Sequence, residues 1–270
     1  MTETSGTAPE PGADLPATDS QAADILPAAR PAWERLVTPG YLAGPGTVAD
    51  DAFNPLTGQA GWQAWSDDLA NCHLTSPCGR AYLGFLPEAN PEPVGLWKAW
   101  ARPDHHSPRT WMAAFDDYVP YEYIGAFTTA WAAAYRPDSP RIAGPRAPFG
   151  SDSDRILAIA RAAGWDLDHA TRRTGRVLTR LTAPDGRAAI ELRTPVNSRP
   201  EDEILNDRAA RWTVWAAPAP YRRPLWEAVF STATPADLIA AFVTALVDPA
   251  PLVREEHQIP SAARPHITLT

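Results

Sequence analysis

The chain has 270 residues, a hydrophobic share of 44% and 11 tryptophans, which is enough to build a core and excludes disorder along the whole length. A net charge of −8 argues against non-specific duplex binding, which depends on neutralising phosphates. Two cysteines are too few for a disulfide framework, no run approaches the roughly 18 apolar residues of a membrane span, and the start lacks the pattern of a signal peptide, so the expectation is a cytoplasmic protein with no membrane contact.

In chain order, residues 1–35 are rich in Ala, Pro, Thr, Ser, Gly and acids and read as a disordered tail. A first unit follows over 36–136. Its elements are predicted as a hairpin (strands near 69–76 and 80–87 around Ser76-Pro77-Cys78-Gly79), a strand at Leu96–Ala101, a strand at Thr110–Phe115 and a closing helix with Ile124, Phe127, Trp131 and Tyr135 at helical spacing. Residues 137–152, with four prolines, read as a linker. A second unit over 153–250 repeats the scheme: a short helix capped by Ser153 and ended at Gly164, a hairpin around Ala183-Pro184-Asp185-Gly186, strands at Arg211–Ala216 and Leu225–Phe230, and a helix opened by Thr234-Pro235-Ala236-Asp237. Residues 251–270 read as a loose tail.

The two units are copies. Residues 96–131 align without a gap to 211–246, and 13 of the 36 columns are identical, among them Trp97/Trp212, Trp100/Trp215 and Trp111/Trp226. Gly61-Trp62 recurs as Gly164-Trp165. The offset grows between elements, where loops tolerate insertion, and the largest step is the segment Thr194–Ala210 of the second copy. The expected fold is α+β: two tandem repeats of a four-stranded antiparallel sheet followed by one helix. That order is also similar to the topology of the Pur and Whirly single-strand nucleic-acid binders, a likeness of fold alone.

Pro77-Cys78-Gly79-Arg80-Ala81 and Pro184-Asp185-Gly186-Arg187-Ala188, the downstream Trp pairs and the Thr234-Pro235 helix opening resemble the actinobacterial SPDY-domain family, a domain of unknown function whose members often carry it twice. The resemblance spans about 40–250. The sequence departs from the family pattern at Cys78, where the turn usually has an acid, and at Ala183 in place of Ser. The family implies no activity, cofactor or catalytic residue.

Candidate functional residues follow from alternation along strands. Trp97 and Trp100 point to opposite faces, as do Trp212 and Trp215. One ring of each pair faces the helix; the other, Trp100 or Trp215, is expected to pack between the copies, to form a homodimer seam or to offer a stacking surface to bases. Arg172, Arg173, Arg176 and Arg180, with Arg187 across the turn, form either a charged sheet edge or a phosphate-binding patch. Pro77, Gly79, Arg80, Pro184, Gly186 and Arg187 read as turn structure. Cys72, His73 and Cys78 lack a fourth ligand and a counterpart in the second copy, so no metal is expected. His105-His106 read as exposed loop. Asp67-Asp68 and Asp116-Asp117 are adjacent and splay apart, and no nucleophile elbow, phosphate loop or zinc-protease motif is present, so no catalysis and no cofactor are expected. The reading is a non-enzymatic binding or scaffold module for a protein partner or itself. A single-stranded nucleic-acid binder and an unrecognised enzyme are the alternatives.

Overall fold

Two tight turns set the strand pairing. Gly79 N–H donates to the Ser76 carbonyl at 2.7 Å and Gly186 N–H to the Ala183 carbonyl at 2.8 Å. Both glycines have positive φ, 64° and 72°, a conformation that side chains disfavour. In the first turn the Ser76 hydroxyl also accepts the Ala81 N–H.

The computed structural model describes residues 31, 33–47, 49–88, 95–135, 151–171, 177–193, 199–205, 211–220 and 222–270. In chain order the elements are β1 (Glu34–Thr38), α1 (Asp50–Asn54), β2 (Gln63–Ser66), β3 (Cys72–Thr75), β4 (Ala81–Phe85), β5 (Trp97–Ala101), β6 (Trp111–Phe115) and α2 (Tyr121–Ala134). There follow α3 (Ser151–Ala162), β7 (Asp166–Thr171), β8 (Val177–Thr182), β9 (Ala188–Arg193), α4 (Pro200–Leu205), β10 (Arg211–Ala216), β11 (Trp226–Ser231), α5 (Ala236–Val247), β12 (Leu252–Glu255) and β13 (Thr268–Leu269).

The protein is α+β, and its main sheet has ten antiparallel strands in the order β2-β3-β4-β5-β6-β11-β10-β9-β8-β7. The two copies meet through homologous strands. Ala114 of β6 pairs with Val229 of β11, flanked by Phe115–Ala228 and Ala113–Phe230, so a pseudo-twofold axis passes between Ala114 and Val229. This corrects two expectations. Each copy has five strands, and the copies share one sheet. The extra strands, β2 and β7, lack an apolar alternation; β2 is exposed at every position and is a strand because it pairs with β3. The fusion has a trace in the sequence: β6, Trp-Met-Ala-Ala-Phe, is apolar without a break and buried at every residue, as a strand covered on both faces must be.

One face of the sheet carries the helices. Trp97, Trp111 and Trp226 are fully buried there, and α2 packs on α5 over rings from both copies. Phe115 stacks on Phe242 at 5.7 Å and Phe127 lies 5.9 Å from Phe230. The repeated Gly-Trp places Trp62 and Trp165 at the flanks of this core, with Trp62 edge-on to Trp131 at 4.7 Å. Before α5, the Thr234 hydroxyl donates to the Met112 carbonyl of the other copy instead of capping, and Pro235 takes the N-cap position.

The residues expected as a loose C-terminal tail are ordered. β12 and β13 flank β1 in a small sheet of order β12-β1-β13, which also takes Glu34 and Arg35 out of the expected N-terminal tail. The reason is Arg254, whose side chain is 1% exposed. Its guanidinium donates to both Glu122 carboxylate oxygens at 2.6 and 2.7 Å and to the Gly44 carbonyl at 2.9 and 3.1 Å. A sparse apolar composition conceals such a polar anchor. Residues 1–30 and most of the linker lie outside the described residues.

Candidate functional site

Opposite pleats aim alternate side chains away from the helices. On the first half-sheet these are Trp65, His73, Tyr82 and Trp100, which stand side by side across β2, β3, β4 and β5. Trp65 stacks on His73 with ring centroids 4.0 Å apart, and Tyr82 stacks on Trp100 at 5.3 Å. The guanidinium carbons of Arg102 and Arg109 lie 5.3 and 5.1 Å from the Trp100 ring centre, cation–π distances. Trp65 is 52% exposed at the sheet edge.

A polar chain threads this ladder. The Asn71 amide, with help from His73, holds the Asp67 carboxyl down to about 2. The carboxylate therefore stays ionised; it lies 3.1 Å from His73 Nε2, within hydrogen-bond range, and His73 Nδ1 lies 2.7 Å from the Tyr82 hydroxyl. Burial, then the charge of Asp67, pushes the Tyr82 phenol up to about 12. A phenol whose titration lies far above neutral is a poor general base near neutral pH. The chain fixes ring orientation. Tyr82 can lie down along β4 because residue 84 is glycine: a Cβ there would meet the phenol oxygen.

The second half-sheet is an internal comparison, register by register. Trp65 corresponds to Asp168, His73 to Arg180, Gly84 to Glu191, and Lys98 to Thr213. Tyr82 corresponds to Ala189, whereas Trp100 keeps its type, as Trp215. Glu191, 4% exposed, replaces the ladder as organiser. It accepts two hydrogen bonds from Arg180 at 2.9 and 2.6 Å, one from Arg193 at 3.4 Å and one from Trp215 Nε1 at 3.2 Å. One fold thus carries an aromatic face on one half and an ion-paired face on the other.

The centre of this same face is covered by α4, which comes from the insertion of the second copy and lies across β6 and β11. Ile204 is buried with Met112, Ala114 and Val229, and Trp100 packs against this group. Two polar ties hold α4 in place. The Glu203 carboxylate accepts the Thr232 N–H and hydroxyl, and Arg211 donates to the Ile204 carbonyl at 2.9 Å. Between α4 and β4–β6 a cleft of about 480 Å³ remains, floored by Tyr82, Lys98, Trp100 and Met112 and walled by Ile204 and Leu205. Arg109 and Glu201 bridge its rim at 3.5 Å.

The residues singled out from sequence fall as follows. Trp100 and Trp215 both lie on the face away from the core helices, partly buried. They do not pack on each other: β6 and β11 separate their strands, a gap of about 14 Å at ordinary strand spacing. Arg180 is engaged by Glu191, and Arg172, Arg173 and Arg176 lie outside the described residues. Arg80 and Arg187 act alike: Arg80 donates to the Pro103 carbonyl at 3.0 Å and Arg187 to the Pro218 carbonyl at 3.1 Å, clamping the loops that follow β5 and β10. His73 belongs to the ladder, Cys72 lies beside Ser66, and Cys78 receives the Tyr135 hydroxyl. Among the described residues no group of three or more His, Cys, Asp or Glu side chains is placed to hold a metal. Sequence reasoning missed Trp65, His73 and Tyr82 as a set. The signal was there: Trp65, His73 and Tyr82 fall on strands whose alternation puts them on the Trp100 face once the register is known.

These features define a duplicated α+β protein whose halves share a core and differ on one face. Residues 75–137 and 182–252 each match the model of the SPDY family, a domain of unknown function (DUF317), and the chain is a two-copy SPDY-domain protein. The matched segments hold β4–β6 with α2 and β9–β11 with α5, so Trp65 and His73 lie outside them. No curated protein and no solved structure matches the chain. Among the described residues no helix is long and apolar enough to cross a membrane.

Proposed function

We propose that this chain is a non-enzymatic binding module that recognises a protein, a partner or a second copy, through the aromatic face of its first half-sheet. One observation carries the reading. Two halves of common ancestry keep the same buried core, yet at matched positions one presents Trp65, His73 and Tyr82 where the other presents Asp168, Arg180 and Ala189. Core positions are held by packing. A face that diverges into aromatics, with Trp65 half exposed at its edge, answers to something outside the core, and aromatic side chains concentrate at the anchor points of protein interfaces.

Single-stranded nucleic acid is the second reading, supported by aromatics on a sheet beside Arg102 and Arg109. The ring packing favours a protein. Base stacking needs a free ring face, and each of these rings already gives one to a neighbour, Tyr82 and Trp100 to each other and Trp65 to His73. Photo-crosslinking decides between them: a benzophenone amino acid at position 65, irradiated in the producing cells, is expected to give a discrete protein adduct that the same label at position 168 does not. Adducts with nucleic acid transfer the site to the second reading, and the absence of any adduct removes the first.

A further inference from the structure

We infer that two copies of this chain pair edge to edge through β2, antiparallel about a twofold axis at Trp65. β2 ends the ten-stranded sheet and is exposed at every position. The strand at the other end, β7, carries exposed Asp166 and Asp168, charges of the kind that keep sheet edges apart. β2 reads Gln63-Ala64-Trp65-Ser66 and has neither a charge nor a proline to guard it.

The register follows from the hydrogen bonds. At the β2–β3 turn the Asp67 N–H donates to the Asn71 carbonyl at 3.1 Å. Bonded pairs alternate along an antiparallel ladder, so Gln63 and Trp65 bond to β3, while Ala64 and Ser66 turn their N–H and C=O groups outward. The next outward N–H, that of Trp62, donates to the Leu56 carbonyl and closes the free stretch. Ala64 and Ser66 are therefore self-complementary. With Trp65 opposite the second copy's Trp65, Ala64 meets the second copy's Ser66 and Ser66 meets its Ala64, and every outward group of these residues is used. A register centred on Ala64 would instead set Ser66 against the occupied Trp62.

The side chains agree with this register. Trp65 gives one ring face to His73 at 4.0 Å, so its other face turns away from β3, over the free edge, and the residue is 52% exposed. At the axis that face meets its own counterpart, in the close side-chain position between bonded pairs. The chain already contains a joint of this kind, where β6 and β11 join antiparallel about the pseudo-twofold between Ala114 and Val229. The free edge is also held in shape, since the Asp67 carboxylate accepts the Leu69 and Asn71 N–H groups at 2.9 and 3.0 Å. The pairing rests on the protein-recognition reading, which it narrows to a second copy at Trp65.

The test is sedimentation equilibrium of the purified full chain from about 1 to 500 µM, where a seam this small is expected to give a reversible dimer with Kd on the order of 10–100 µM. In the unaltered chain, amide exchange at Ala64 and Ser66 should slow as concentration rises. Ala64→Pro removes an outward N–H and leaves the ladder to β3 intact, and is expected to weaken the dimer about 10-fold or more. With Cys72 and Cys78 changed to serine, Trp65→Cys should oxidise to a linked dimer, because opposed Cα atoms about 4.5 Å apart suit a disulfide. Gln63→Cys should not, its counterpart lying about 14 Å away in this register. A chain that stays monomeric overturns the pairing, as do unchanged exchange at Ala64 and Ser66, an undiminished Ala64→Pro dimer, or equal linkage from positions 63 and 65. A monomeric chain that still captures a different protein from position 65 in cells overturns the pairing and leaves the proposed function standing.

Discussion

Gly84→Ala tests whether the aromatic ladder is built as described. A Cβ at residue 84 would stand 2.2 Å from the Tyr82 phenol oxygen and 2.8 Å from Cζ. Ordinary contact is about 3.5 Å, so the ring must lift by about 1 Å. The bond from Tyr82 to His73, now 2.7 Å, would then exceed hydrogen-bond range. Losing it costs about 1 kcal/mol, and disturbing the Tyr82–Trp100 stack about 0.5–1.5 kcal/mol more. Alanine recovers about 0.5–1 kcal/mol in strand entropy. The net expectation is a loss of about 1 kcal/mol, read as a lower urea midpoint at constant slope. In a Tyr82→Ala background the obstacle is gone, so the same substitution should become neutral or mildly stabilising, a coupling of about 1.5 kcal/mol. The His73 ring nitrogens should also change their NMR shifts in Gly84→Ala. Equal effects in both backgrounds, with unmoved His73 shifts, would show that the phenol does not lie over Gly84.

Arg254→Ala removes the anchor of the C-terminal strands while Glu122 remains partly solvated; the expected loss is about 2–4 kcal/mol, seen in unfolding and in faster hydrogen exchange at β12 and β13. Unchanged exchange there would mean that strand pairing alone holds the tail. Glu191→Ala strands Arg180, Arg193 and the Trp215 indole, and should cost about 2 kcal/mol of stability without changing crosslinking from position 65. Burial pushes the Cys78 thiol up, but hydrogen bonds from Ser76, Tyr135 and Arg80 outweigh it and bring it down to about 7. Its alkylation rate should therefore rise from roughly pH 6 and level off by roughly pH 8, and Arg80→Ala should move the curve to higher pH. Because this thiol titrates lower folded than unfolded, its contribution to stability is fully present above the unfolded value and is lost as pH falls through about 7. A profile that tracks an ordinary thiol would discard the hydrogen-bond cradle.

The duplication, the hairpin turns, the core-facing rings and the closing helices are legible in the amino-acid order, because each rests on local chemistry. Proline and glycine preset a corner, alternation names a face, and helical spacing names a stripe. Trp97, Trp111 and Trp226 could be assigned to the core by these rules alone, and the repeat showed that both copies obey them. The edge strands β2 and β7, the ordered tail around Arg254 and the merger into one sheet were decided by partners distant in sequence. Trp65 is a strand residue because β3 lies beside it, and residues 252–255 are a strand because Arg254 finds Glu122 and Gly44. The cleft has the same origin. Its floor belongs to one copy and its wall to the other, so neither copy holds the site, and only the pairing of Ala114 with Val229 brings α4 over Trp100. Local rules fix which way a side chain points; what it meets there is set by complementary surfaces, which a single chain order does not spell out.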